Sequence, residues 1–373
     1  MNRSEKTYIK REIKKVFPVL VIGILYMGFI LASMFIRLRD ICLDGYLMFS
    51  EPNHFQMQNS GAVFIEAWES CMGDLPVYFT IFMEALLIRR IFYQEKRAGV
   101  SDFLRILPIK EWKKTWIKAG VGETVIFLFC FLYGLMACAV NSVYDHRLNE
   151  INSMIPGASA EGNTYLVIWQ TMLLMFAGMS VIFFILFAAQ MYLHNMVMGY
   201  MVGTGILIAP IYFTGIYGLL YQTARGVGTW TIPASIIDPF PKVDIYSVGN
   251  MGMQKYVAVW NGYFQKILFL FLFLVLAVAV ILLALRLRWN VWESNNAVVN
   301  SKVVMEFIFA GISLGLGTIV AMKFGDLMTG TIYRGSEEFW FWLYSLIAAG
   351  IILIVLNIVV SQWERMRKKR DRR

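Results

Sequence analysis

A chain of 373 residues that is 58% hydrophobic and only 16% charged is too apolar for a soluble protein, where about 25% of residues carry charge. Its net charge of +9 and mean hydropathy of +0.59 fit a membrane protein whose basic residues are sorted by topology. No segment is long enough between apolar runs to predict a soluble catalytic domain, which typically needs about 100 residues.

The N-terminal residues 1–16 place Tyr8, Ile9, Ile13 and Val16 among Lys and Arg, a pattern that predicts an amphipathic interfacial helix. It leads into a first apolar run at 17–38, too long for the ~7–15-residue core of a signal peptide, so this run is expected to insert and stay. Further runs follow at 76–93, 116–140, 165–193, 197–220, 261–285, 304–322 and 339–361. Each is close to the ~20 residues that span a bilayer, and together they predict an all-α polytopic membrane protein with eight spans. Twenty-five of the 34 Lys and Arg fall in segments on one side of these spans, which predicts both termini in the cytoplasm. The basic tail 362–373 is explained by attraction to anionic lipid headgroups, and no nucleic-acid partner is expected.

Two external segments are long, 39–75 and 221–261. The first holds Cys42 and Cys71, where a disulfide is chemically permitted and free thiols are an equal alternative. The second contains Pro233, Pro239 and Pro241, a density that predicts a rigid folded turn.

Motifs for catalysis are absent. There is no GxxxxGK[ST] phosphate loop, no HExxH and no CxxC, and His54, His146 and His194 are scattered, so no metal site and no bound cofactor are expected. The spans lack the Ser–His or paired Asp residues of an intramembrane protease. Glu84 in the second span and Glu123 in the third are the intramembrane carboxylates. Each is open to two readings: an ion pair, for Glu84 with nearby Arg89 or a neighbouring span, or a role in substrate handling or conformational change. Gly199–Gly203 and Gly311–Gly315 are spaced for close helix packing, within or between subunits.

The segment Gln94–Lys118 is the most unusual. It carries seven Lys or Arg, yet holds an apolar cluster of Phe103, Leu104, Ile106 and Leu107 that stops at Pro108. Such a cluster in a basic loop predicts contact with the membrane interface or with a partner.

In Glu95, Gly99, Phe103-Leu104, Leu107-Pro108-Ile109 and Lys118 this segment resembles the coupling helix of the type-two ABC transporter permease family. The chain departs from that pattern at Val100, where a small or hydroxyl residue is usual, and at Lys110-Glu111 in place of Ser-Arg. The resemblance implies a six-span permease core over 17–287, with the coupling helix at about 94–108. It also implies a two-span extension over 288–361, joined to the core by an Arg-rich turn after the sixth span that holds Arg286, Arg288 and Glu293.

By that resemblance Glu95, Gly99, Phe103, Leu104, Leu107 and Pro108 dock a separate ABC ATPase subunit, which alone binds ATP and Mg. The working unit is then two permeases, identical or paralogous, and two ATPases in a bacterial cytoplasmic membrane. Export of a hydrophobic or amphipathic compound, such as an antimicrobial peptide or drug, is the expected task, with no enzymatic activity in this chain. A non-transporting membrane sensor or scaffold is the alternative.

Overall fold

The computed structural model describes residues 3–48, 56–58, 75–93, 109–153, 164–193, 196–209, 242–248, 253–259, 263–286, 302–329 and 338–370. Among them are eight helices: α1 Arg3–Met48, α2 Leu75–Phe92, α3 Glu111–Ser153, α4 Thr164–Tyr192, α5 Met196–Ala209, α6 Tyr263–Arg286, α7 Lys302–Thr329 and α8 Glu338–Arg370. Six of these, α1, α3, α4, α6, α7 and α8, are long and apolar enough to cross a membrane. The chain is a multi-pass membrane protein.

The all-α expectation holds for the spans and fails outside them. Strands β1 Gln56–Gln58, β2 Lys242–Val248 and β3 Met253–Val259 form a sheet in the order β1-β3-β2. β2 and β3 pair antiparallel with Ile245 opposite Tyr256, while β1 joins β3 in parallel with Gln56 opposite Gln254. β2 and β3 are rich in Val and Ile, which suit a pleated surface. The sheet therefore ties the two long segments outside the spans to each other. The Pro-rich stretch through Pro241 lies outside the described residues.

The helices group into two units, Met1–Ala188 with Ser235–Leu285, and Ala189–Ala234 with Arg286–Arg373. In the first unit, α1 and α3 are far longer than a membrane requires. At 46 and 43 residues they extend about 70 and 65 Å, against a hydrocarbon thickness of about 30 Å. The interfacial segment expected at 1–16 continues into the first span as one helix, with Pro18 inside it.

A single stripe explains why. Tyr8, Glu12, Val16, Val19, Met27, Ile30, Met34 and Leu38 are all buried and recur at spacings of three or four, or their multiples, so one face of α1 stays covered along its length. Ile13 lies off that stripe and is exposed. Gly23 lets the helices close in, because a Cβ there would lie 2.8 Å from both Met83 Cε and the Phe129 ring.

Contacts at both ends show that α1 and α3 run in the same direction. At one end Lys113 Nζ is 2.8 Å from Glu5 Oε1, and Tyr8 packs on Ile109. At the other, the Tyr144 hydroxyl donates to the Phe35 carbonyl at 3.1 Å beneath an edge-on contact of their rings. α2 runs back between them, with Phe79 stacked on Tyr26. α4 lies antiparallel to α3, seating Phe183 where a Cβ on Gly122 would stand and Trp169 and Met172 against Gly134. Tyr263 at the start of α6 donates to the Gln170 carbonyl of α4 at 3.3 Å.

In the second unit α7 and α8 form an antiparallel hairpin. Phe341 packs on Ala321, and Gly317 faces the α8 backbone so closely that a Cβ would be 2.5 Å from the Ser345 carbonyl oxygen. The expected close-packing residues, Gly311 and Gly315, would each present a Cβ with nothing within 4 Å. Gly199 of α5 does approach closely: its Cβ would meet the Gln190 side chain, whose Nε2 donates to the Met196 carbonyl at 3.0 Å.

Candidate functional site

The two features singled out in the sequence converge on α2 and α3. The motif segment joins these helices, and the two intramembrane carboxylates sit one on each.

Residues 94–108 lie outside the described residues, and with them Glu95, Gly99, Phe103, Leu104, Leu107 and Pro108. Their flanks are well defined. On the α2 side, Arg89 lies over the Tyr93 ring at 5.3 Å, and Phe92 packs edge-on against Phe187 of α4. On the α3 side, Ile109 is buried against Tyr8 with Ile117 beside them. Lys118, the last residue of the motif, is buried with its ammonium 5.6 Å above the Phe92 ring. Lys118 over the Phe92 ring thus holds the two helix ends to each other, and Ile109 on Tyr8 with the Lys113–Glu5 ion pair holds the α3 end to α1.

Deeper in the span, Glu84 is 1% exposed, and neither carboxylate oxygen has a hydrogen-bond partner among the described residues. Glu123 accepts a hydrogen bond from Ser180 Oγ of α4 at 2.9 Å on one oxygen, while its other oxygen is buried with no partner among the described residues. The two carboxylates are within electrostatic range of each other, and Cys130 lies within range of both. Cys130 Sγ itself contacts Met179 Sδ at 3.9 Å.

The ion pair of Glu84 with Arg89 does not form among the described residues. The helix explains this, since five residues turn about 140°, and Arg89 points to the exposed side while Glu84 points inward. Three helices therefore bring two carboxylates, a hydroxyl and a thiol to one buried place. Such an arrangement can take up a cation or a proton, or change its contacts when α2 and α3 shift. Beside it, the space between Tyr26, Phe79, Phe129, Tyr133 and Met175 is a void of about 10 Å³, room for one water at most.

Cys42 lies on α1 and Cys71 outside the described residues, so their pairing is not defined. Among the described residues, no group of three or more His, Cys, Asp or Glu is placed to hold a metal ion. Sequence reasoning missed Ser180, because a serine in a span carries no signal without its partner.

It also missed a cleft of about 810 Å³ between the start of α1 and the end of α2, lined by Lys10, Arg11, Lys14, Lys15, Arg89 and Arg90. A signal for it existed. Thr7, Lys10, Arg11, Lys14, Lys15 and Pro18 repeat at helical spacing, as do Leu86, Arg89, Arg90 and Tyr93. No family model, curated protein or solved structure matches the chain, so its function has to be read from these residues.

Proposed function

We propose that this chain is the membrane-spanning permease subunit of an ATP-driven ABC transporter, exporting a hydrophobic or amphipathic compound such as a peptide or drug. One observation carries the proposal. The segment holding Phe103, Leu104 and Leu107 is tied at both ends to one basic end of the helices, through Tyr93 on α2 and Ile109 on α3. A partner that moves this segment moves α2 and α3 together, and those are the helices that carry Glu84 and Glu123.

The basic residues at that end, Lys110, Lys113 and Lys114 with Arg89 and Arg90, support a cytoplasmic location for it and for both termini. A separate ATPase subunit, binding ATP and Mg, supplies the energy, because the chain lacks a phosphate loop. The void of about 10 Å³ has no room for a drug-sized compound, which needs roughly 300–1,000 Å³. By the family resemblance, a second permease, identical or paralogous, is expected to complete the path.

The test is capture. The full chain, purified from its native membrane in mild detergent, is expected to bring down a protein bearing a GxxxxGK[ST] loop. The Leu104→Asp/Leu107→Asp variant is expected to lose that protein while still inserting in the membrane. Retention of the ATPase by the inserted variant overturns the coupling role. A wild-type chain that brings down no such protein overturns the transporter reading in favour of a sensor or scaffold.

A further inference from the structure

The cleft between α1 and α2 has the shape and charge of a phospholipid site. Its walls are two helical ridges of cations, Lys10, Arg11, Lys14 and Lys15 from α1, and Arg89 and Arg90 from α2. Lys15 is neutralised by Glu12 at 2.7 Å. The other five have no carboxylate partner among the described residues.

Five unneutralised cations around one hollow repel one another, and an anion between them relieves that repulsion. Arg adds specificity, since its planar fork matches the oxygens of a phosphate. Thr7 and Tyr93 complete the polar lining, while Pro18 and Leu86 are apolar and lie where the basic ends of α1 and α2 pass into their apolar runs, which puts the hollow at the depth of the headgroups. From that level the surface continues along exposed Phe17, Val21, Ile22 and Leu25 of α1. An anionic head and apolar tails are thus accommodated in sequence along one side of α1. A volume of about 810 Å³ falls within the range of sites that enclose a small ligand, and exceeds what a lone phosphate ion fills.

We infer that this cleft binds the phosphate-bearing headgroup of an anionic membrane phospholipid, with the acyl chains lying along the exposed apolar face of α1. The site differs from general attraction of basic residues to the membrane, because it sets cations from two helices around one hollow. It also touches the end of α2, the helix that leads into the motif segment. Bound lipid therefore holds the first turns of α1 to the last turn of α2.

The experiment uses the full chain in mild detergent, titrated with dioleoylphosphatidylglycerol or dioleoylphosphatidylcholine and read by native mass spectrometry. The wild-type chain is expected to bind phosphatidylglycerol in preference to phosphatidylcholine. Lys14→Gln/Arg89→Gln/Arg90→Gln is expected to weaken that binding on the order of tenfold or more. Arg367→Gln/Lys368→Gln/Lys369→Gln, which removes the same charge from the tail, is expected to leave it unchanged. Should the first triple variant misfold, Arg89→Gln/Arg90→Gln at the exposed end of α2 serves instead, with a loss of several-fold expected.

Equal weakening by both triple variants, or none by the cleft variants, overturns the inference. Displacement of the lipid by equimolar inorganic phosphate or glycerol phosphate also overturns it, because the site would then serve a water-soluble anion. Loss of ATPase capture in Arg89→Gln/Arg90→Gln with lipid binding intact would make the cleft a protein-docking surface and reject the lipid.

Discussion

Helices α4 and α8 are nearly equal in hydropathy, 2.5 and 2.7 over their most apolar windows, yet 72% of the first window is buried and 11% of the second. Hydropathy measures fitness for lipid, and lipid is as apolar as a protein interior, so it cannot tell the two apart. What separates them is the pattern of small and polar residues. α4 buries Thr171, Ser180, Ala188, Ala189 and Gln190 on several faces among Phe183 and Phe187. Among its described residues α8 buries Phe341, Ser345 and Ala349, one stripe at intervals of four. A helix that must satisfy polar groups all round is enclosed by other helices; a helix with one such stripe needs a single neighbour, as α8 has in α7.

The strongest way to break this contrast is to wedge a side chain into each contact. Gly122→Val on α3 would drive two methyl groups into the Phe183 ring, which is fully buried and has no free space to enter. The expected cost is at the upper end of overpacking, about 3 kcal/mol, and thermal unfolding in detergent should fall accordingly. Gly317→Val would meet the α8 backbone at Ser345 and Ala349, which cannot rotate away. That variant should open the α7–α8 hairpin, read by cysteine cross-linking between the helices. It should leave the unfolding of the first unit unchanged if the hairpin is as self-contained as its single stripe implies.

The carboxylates of the enclosed region sharpen the comparison. Removing one partner from a buried ion pair costs about 3–5 kcal/mol, so Glu84→Gln would be severe if Glu84 held a cation. Among the described residues it holds none, and Gln is nearly the same shape. Glu84→Gln is therefore expected to keep or raise the unfolding temperature and, if the chain works in the proposed ATP-driven transporter, to lower substrate-stimulated ATP hydrolysis. Ser180→Ala removes the hydroxyl that donates to Glu123 and should cost about 1 kcal/mol. A large destabilisation by Glu84→Gln would reveal a cation partner and turn this site into a structural pair.

Much of the scaffold was legible in the sequence because apolar runs of membrane length have few other uses. All eight predicted spans fall on helices, but only six of these are long and apolar enough to cross a membrane; α2 is not among them, and α5, described over Met196–Ala209, is shorter. Helix ends were less legible, since hydropathy windows stop at the first charges while the stripe Tyr8, Glu12, Val16 continues across them. The sheet had no local signal to follow, for Gln56 pairs with Gln254 across most of the chain. The motif segment was legible as a sequence pattern, but its own residues lie outside the described ones. Glu84 and Glu123 stood out as intramembrane carboxylates, whereas their meeting with Ser180 and Cys130 depends on how three helices pack.

The smallest expected effect falls where a sequence motif and the packing disagree. Gly311 and Gly315 carry the spacing usually associated with close helix contact, but the residue that meets α8 is Gly317. The difference is one of face. Gly317 is two residues beyond Gly315, about 200° around the helix, so the motif points away from the hairpin. Valine at Gly311 or Gly315 should therefore leave the hairpin and the isolated chain intact. Replacing Gly by a residue of higher helix propensity offers a few tenths of a kcal/mol in favour, and the net change in stability should be under about 0.5 kcal/mol. If either variant instead lowers the proportion of dimer in crosslinked native membranes while the monomer's unfolding is unmoved, the glycine face of α7 is the contact between two copies of this chain. If it lowers the unfolding of the monomer itself, α7 meets another helix of its own chain on that face, and the contrast drawn between α4 and the hairpin fails.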